Sequence, residues 1–99
     1  MALTSKQRQF LKGLAHPLAP AVRVGRGRVT DSLIVETKKS LLAHELIKVR
    51  IDGDDSAERR AIAEKLASAA DAEIAGSVGK IVVLYREREE NPKIKLPKA

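Results

Sequence analysis

Cysteine is absent from this chain and aromatic residues nearly so, with Phe10 and Tyr85 the two among 99 residues. Without thiols there are no disulfides and no thiolate metal sites, which suits a reducing compartment. With one Phe and one Tyr there is no platform of rings on which nucleobases could stack in the manner of RRM domains, and the core has to be aliphatic. No apolar run approaches the ~20 residues that a membrane span needs. The opening M-A-L-T-S-K holds no apolar signal core, so the expected location is the cytoplasm and no membrane partner is expected. Acid is missing from the first thirty residues, which carry Lys6, Arg8, Lys12, Arg23, Arg26 and Arg28.

What is present sharpens that asymmetry. The net charge is +6 and charged residues make up 32% of an otherwise ordinary globular composition, so the basic balance points to an anionic partner. The positive charge concentrates at the two ends of the chain. The stretch from Ile51 to Glu73 runs the other way, with Arg59, Arg60 and Lys65 set against seven acids. Ninety-nine residues suffice for one modest core. The organisation read here is one domain over residues 1–86 and a charged, proline-containing tail over 87–99.

Local signals divide the chain into seven elements. Thr4-x-x-Gln7 reads as a capping box that starts a helix with Phe10, Leu11 and Leu14 on one face, stopped between Gly13 and Pro17. Ala21 to Val24 alternates and is β-branched, as a short strand does. Thr30 is a good N-cap, with Asp31 in the first turn of a second helix that carries Ile34, Leu41 and Leu42. Leu46 to Asp52 alternates: Ile47, Val49 and Ile51 point one way and Lys48 and Arg50 the other, a half-buried strand with a basic second face. Asp52 to Ser56 turns into a third helix lined by Ile62, Leu66 and Ala69. Glu73 to Val78 and Ile81 to Tyr85 flank Gly79-Lys80, the connection of a tight hairpin. The order α-β-α-β-α-β-β predicts a small α/β sandwich, a mixed four-stranded sheet packed with three helices. Right-handed crossovers make neighbouring strands parallel, and the final hairpin is antiparallel.

The segment Val24-Gly25-Arg26-Gly27-Arg28-Val29-Thr30 stands where a strand hands over to a helix. Glycines let the backbone approach a phosphate closely, a helix N-terminus favours anions, and arginines add bidentate hydrogen bonds to phosphate oxygens. A flexible turn with two solvated arginines fits the same four residues; the acid-free flank favours phosphate. The spacing is neither that of a Walker loop nor G-x-G-x-x-G. Asp52 to Asp55 fails as an EF-hand loop, because Ala57 and Ala63 fall where glycine and glutamate are required, and reads as a turn with a helix cap. His16 and His44 stand at helix ends and read as structural. With no nucleophile motif and no ligand cluster, the chain is expected to be a non-enzyme without metal, cofactor or small-molecule substrate.

The segments L-T-S-K-Q-R-Q-F-L-K-G-L-A-H-P-L, V-G-R-G-R-V-T, H-E-L-I-K-V-R-I and G-K-I-V-V-L-Y-R closely resemble the stand-alone bacterial CRM-domain proteins, the YhbY family, over Leu3 to about Pro97. The resemblance implies a fold like the C-terminal domain of translation initiation factor 3. It also implies RNA binding and association with precursors of the large ribosomal subunit, hence a role in ribosome biogenesis. Family members carry a G-x-x-G loop likened to that of KH domains where this chain has Gly25 to Arg28. Here the first glycine matches Gly25, but the second position holds Arg28, with Gly27 one place early. The expected RNA-binding residues are Gly25, Arg26, Gly27, Arg28 and Thr30, extended by Arg23, Lys12, Lys6 and Arg8. The expected partner is rRNA, held by a monomer. The alternative is a basic protein-interaction adaptor that docks on an acidic partner, with RNA incidental. DNA binding is disfavoured by the lack of a recognition-helix motif.

Overall fold

The computed structural model describes residues 2–25 and 28–98. Its elements are α1 (Ser5–Ala15), β1 (Pro20–Val24), α2 (Asp31–His44), β2 (Leu46–Ile51), α3 (Ser56–Ala69), β3 (Glu73–Val78) and β4 (Ile81–Tyr85). Each helix begins on a side-chain cap. Thr4 Oγ1 accepts from the Gln7 amide at 3.1 Å and Gln7 Oε1 accepts from the Thr4 amide at 3.0 Å, which closes the capping box. Thr30 Oγ1 accepts from the Leu33 amide at 3.1 Å, and Asp55 Oδ1 from the Ala57 amide at 2.9 Å. A cap of this kind contributes about 1 kcal/mol. The hairpin turns on Gly79, whose φ of 57° is a conformation open to glycine without a Cβ clash.

The four strands form one sheet in the order β1-β2-β4-β3. β1 and β2 are parallel, as the crossover through α2 predicts, and β4 is antiparallel to both β2 and β3. The expectation that β2 and β3 would also be neighbours is corrected: β4 inserts between them. The reason lies in β4 itself, where Val82, Val83, Leu84 and Tyr85 are all buried. A strand apolar on both faces belongs in the middle of a sheet covered on both sides. Pro20 opens β1, an edge strand, where its missing N–H breaks no ladder.

The two faces of the sheet are packed by different elements. On one, α2 and α3 bury Val22, Val24, Ile47, Val49, Ile51, Val82 and Leu84 against Leu41, Ala63, Leu66 and Ala67. On the other, α1 covers Leu46, Ala75, Val83 and Tyr85 through Leu11 and Ala15. The face expected for α1 is corrected in part: Leu11 is fully buried, whereas Phe10 and Leu14 are 39% and 42% exposed. Ala15 and Gly76 let the helix lie low on the sheet, which keeps the Leu11–Ala15 line inside and leaves the Phe10–Leu14 flank at the border. Likewise Leu42 is exposed, and the buried neighbour of Leu41 on α2 is Thr37, whose hydroxyl donates to the Leu33 carbonyl at 2.8 Å.

Among the described residues beyond β4 there is neither helix nor strand, in keeping with the prolines and charge of this segment, yet it is anchored. Ile94 and Leu96 pack on the α1-side core, and the Gln7 side-chain amide donates to the Pro97 carbonyl at 3.0 Å. The anchor is Glu45, fully buried in the connection from α2 to β2 with a φ of 64°. Its Oε2 accepts from the Arg88 amide at 2.8 Å, and its Oε1 from the Lys93 and Ile94 amides at 2.5 and 2.8 Å. Burial raises its pKa, but these three N–H groups and the Arg88 charge outweigh that, so the carboxyl lies below its ordinary value.

Candidate nucleic-acid interface

β1 and α2 deliver the expected phosphate loop to one end of the sheet. Gly25 is exposed, and no described atom lies within 4 Å of the position a Cβ would take. Packing therefore does not require glycine there, and the bare backbone is open to an approaching ligand. Arg26 and Gly27, the middle of the expected loop, lie outside the described residues. Arg28 is exposed and, with Val29, lines a shallow groove of about 380 Å³ against Glu58, Ala61, Ile62 and Lys65 of α3. Thr30 serves the helix: its hydroxyl takes the Leu33 amide and its carbonyl the Ile34 amide. Asp31 puts a carboxylate at the same positive helix end. Among the described residues, the positive side-chain charge at this corner is that of Arg28, while Asp31 offsets the helix end.

Arg23 points away from the α2–α3 core, since its neighbours Val22 and Val24 point into it. It shares the opposite face with Lys48 and Arg50, and the parallel register sets Arg23 directly across from Arg50. α1 leaves this part of the sheet open. Lys48 reaches back to the helix, donating to the His16 carbonyl at 2.9 Å. Lys12 lies on the flank of α1 turned towards β3, the edge opposite β1: its stem packs so closely on Gly76 that a Cβ there would sit 2.6 Å from Lys12 Cδ. Arg8, one turn earlier on α1, shares that flank. Lys6 does not, because it precedes Phe10 and Leu14 at intervals of four on the other flank.

Arg23 stands two residues from Gly25 on β1, whereas Lys12 packs on β3 at the opposite edge of the sheet, so the structure does not bring Lys12, Arg8 or Lys6 to Gly25. It adds Lys48 and Arg50, whose signal in the sequence was the K-x-R alternation on β2. Asp52 joins this group. Its Oδ2 accepts from Arg23 Nε at 2.9 Å and its Oδ1 from Arg50 Nε at 3.2 Å. The Arg23 hydrogen bond is the main reason the Asp52 carboxyl lies below its usual range, with Arg50 adding to it against a smaller desolvation effect. Asp55 caps α3, so the acidic turn is structural at that position. His16 and His44 are exposed at the ends of α1 and α2.

Comparison with known proteins joins this geometry to a family. The CRS1 / YhbY (CRM) domain matches residues 3–86. A Haemophilus influenzae protein named RNA-binding protein is 42% identical over 96 residues, 97% of this chain and 96% of its own. The Bacillus subtilis protein named Probable RNA-binding protein YqeI is 38% identical over 95 residues, 96% of this chain and 99% of its own. The solution structure of a hypothetical protein from Staphylococcus aureus superimposes with a TM-score of 0.86 at 34% identity, covering 97% of this chain and 100% of that one.

Proposed function

This chain belongs to the CRS1 / YhbY (CRM) domain family, and from that premise we propose that it is an RNA-binding protein acting in the cytoplasm on rRNA in precursors of the large ribosomal subunit. The observation that carries the reading is the row of bases, Arg23, Lys48 and Arg50, that β1 and β2 present on the open face of the sheet beside Gly25. Arg23 and Arg28 are exposed on either side of Gly25, and Arg50 stands across from Arg23. Arginine forks and open backbone suit phosphate oxygens. With two aromatic residues in the whole chain, and Tyr85 buried, base stacking contributes little. The protein is a monomeric binding module that holds or shields an RNA segment; it performs no chemistry on it and takes no cofactor.

Affinity for RNA is expected to fall steeply with salt, because phosphate contacts release counterions. Replacing both loop arginines, Arg26→Ala with Arg28→Ala, should weaken binding at low salt and lower the salt slope by about one unit for each phosphate no longer held. Arg60→Ala with Lys38→Ala removes the same charge elsewhere and is the control; Arg59 is unsuitable because it donates to the Gly53 carbonyl at 2.8 Å. Equal losses from the two double variants would mean that binding follows net charge and not the loop. Sedimentation of tagged protein with ribosomal particles, with and without RNase, separates RNA attachment from docking on an acidic protein. Comigration that survives complete RNA digestion would favour the adaptor.

A further inference from the structure

We propose that Arg23 and Arg50, held together by Asp52, form a second phosphate site on the open face of the sheet, which takes a phosphodiester of an RNA strand leaving the Gly25 loop. The inference rests on the RNA-binding reading and extends it to a site with its own geometry. Arg23 and Arg50 stand side by side in register on adjacent strands, about 4.8 Å apart across the ladder. Two like charges so placed repel each other unless an anion lies between them. Asp52 supplies one negative charge against two positive ones, so the group keeps a net charge of one, which a phosphodiester would balance.

The hydrogen bonding is directional in the same sense. Asp52 takes the Nε–H of each arginine, one on each carboxylate oxygen. A guanidinium carries five N–H donors, so each keeps the four on its Nη atoms, and these have no partner among the described residues. The side chains of Arg23 and Arg50 are 69% and 42% exposed, against 21% for Asp52. The carboxylate therefore sits beneath and the forks stand above it, open to solvent. Arg23 is two residues before Gly25, about 6.6 Å along the strand, so one RNA strand crossing the loop passes next over this pair. The row continues through Ile81 and Val78, which face each other across the hairpin. Val78 is 74% exposed, an apolar floor that suits a sugar or base edge better than a free inorganic anion. Asp52 is here a positioning residue, acting on RNA through the two arginines.

The sign of one substitution tests this. By charge alone, Asp52→Asn removes a repulsive carboxylate and should tighten binding of a fluorescein-labelled oligouridine. If Asp52 orients the arginines, Asp52→Asn weakens binding roughly tenfold at low salt, the loss expected of about one charge-assisted hydrogen bond. In an Arg23→Ala, Arg50→Ala background the same change should no longer weaken it. Tightening in the unaltered background, or an equal loss without the arginines, overturns the proposal. In the unaltered protein the Nε–H resonances of Arg23 and Arg50 should move on addition of oligouridine. Equal movement with inorganic phosphate at the same phosphate concentration would make this a free-anion site and also overturn it. If Arg26→Ala with Arg28→Ala weakens binding and Asp52→Asn does not, the cradle alone fails. If neither does, the RNA reading itself fails.

Discussion

Replacing Glu45 by glutamine should destabilise the protein far more than a change of one oxygen to one nitrogen suggests. Three backbone amides, those of Arg88, Lys93 and Ile94, point at the carboxylate. Glutamine keeps the volume but has a single acceptor oxygen. If that oxygen stays with Lys93 and Ile94, the new NH2 confronts the Arg88 amide, donor against donor; the flipped amide loses two bonds instead. A hydrogen bond to a charged group contributes about 1.5–3 kcal/mol. One is lost outright and two lose their charge assistance, while relief from burying a carboxylate returns part of this. The net cost is about 2–3 kcal/mol, which for a chain of this size lowers Tm by roughly 10–20 °C. Thermal and urea unfolding followed by circular dichroism measure it, and hydrogen exchange localises it. A Tm within about 3 °C of the unaltered protein, or undiminished protection of the Lys93 and Ile94 amides, would refute the reasoning.

The same carboxylate sets an acid limit. Its folded pKa lies below the ordinary 4.5, so its stabilisation is complete above that value and is lost as pH falls through the folded pKa. Glu45→Gln should therefore narrow its gap to the unaltered protein in acid. Glu45→Gly removes the carboxylate but also relieves the backbone at a φ of 64°, and should be more stable than Glu45→Ala by about 1 kcal/mol.

Tyr85 makes the opposite case: its hydroxyl is buried and has no partner among the described residues. Tyr85→Phe should leave Tm unchanged or raised, and a large fall would show that the hydroxyl is bonded. Burial chiefly, with help from Glu87 and Glu45, pushes its pKa up to about 12. The neutral phenol then favours the fold fully below pH 10, and that contribution disappears as pH rises towards 12. Phenolate absorbance of the single tyrosine reads this directly, and a titration midpoint near 10 would contradict it. Gly76→Ala should displace the Lys12 stem, which lies within 3.1 Å of the added Cβ at three carbons. Because Lys12 is exposed, the expected result is a small change in Tm and a measurable loss of RNA affinity; unchanged affinity would remove Lys12 from the interface.

Features that depend on near neighbours in the chain were legible in the sequence. The Thr4–Gln7 box, the Thr30 and Asp55 caps and the Gly79-Lys80 turn are complete within a few residues, and the structure has each of them. Long-range pairings were not. Glu45 reads as one more surface acid, because its partners are 43 to 49 residues away. Thr37 reads as polar, although its hydroxyl is satisfied by its own helix and it is fully buried. Of the site, Gly25 to Arg28 stood out by composition. The meeting of Arg23, Arg50 and Asp52 needed the parallel register of β1 and β2, which no local spacing encodes. The one misplaced strand had a visible sign, the unbroken apolar run of β4, which marks a strand buried on both faces.

The place of β4 in the sheet also constrains the order in which the molecule is completed. A chain emerging from the ribosome presents β1, α2 and β2 soon after α1, and the two strands pair with each other. β3 then has no hydrogen-bonding neighbour until β4 arrives, because β4 alone connects it to β2. The amides that take up the Glu45 carboxylate emerge later still. A nascent chain stopped before Ile81 therefore holds an open sheet, with Ala75 on an unpaired strand and one edge of β2 without its β4 neighbour. Closure late in synthesis makes folding nearly all-or-none, with the last fifth of the chain as its latch. The strand that carries Arg23 and leads to Gly25 is thus synthesised before the sheet can close.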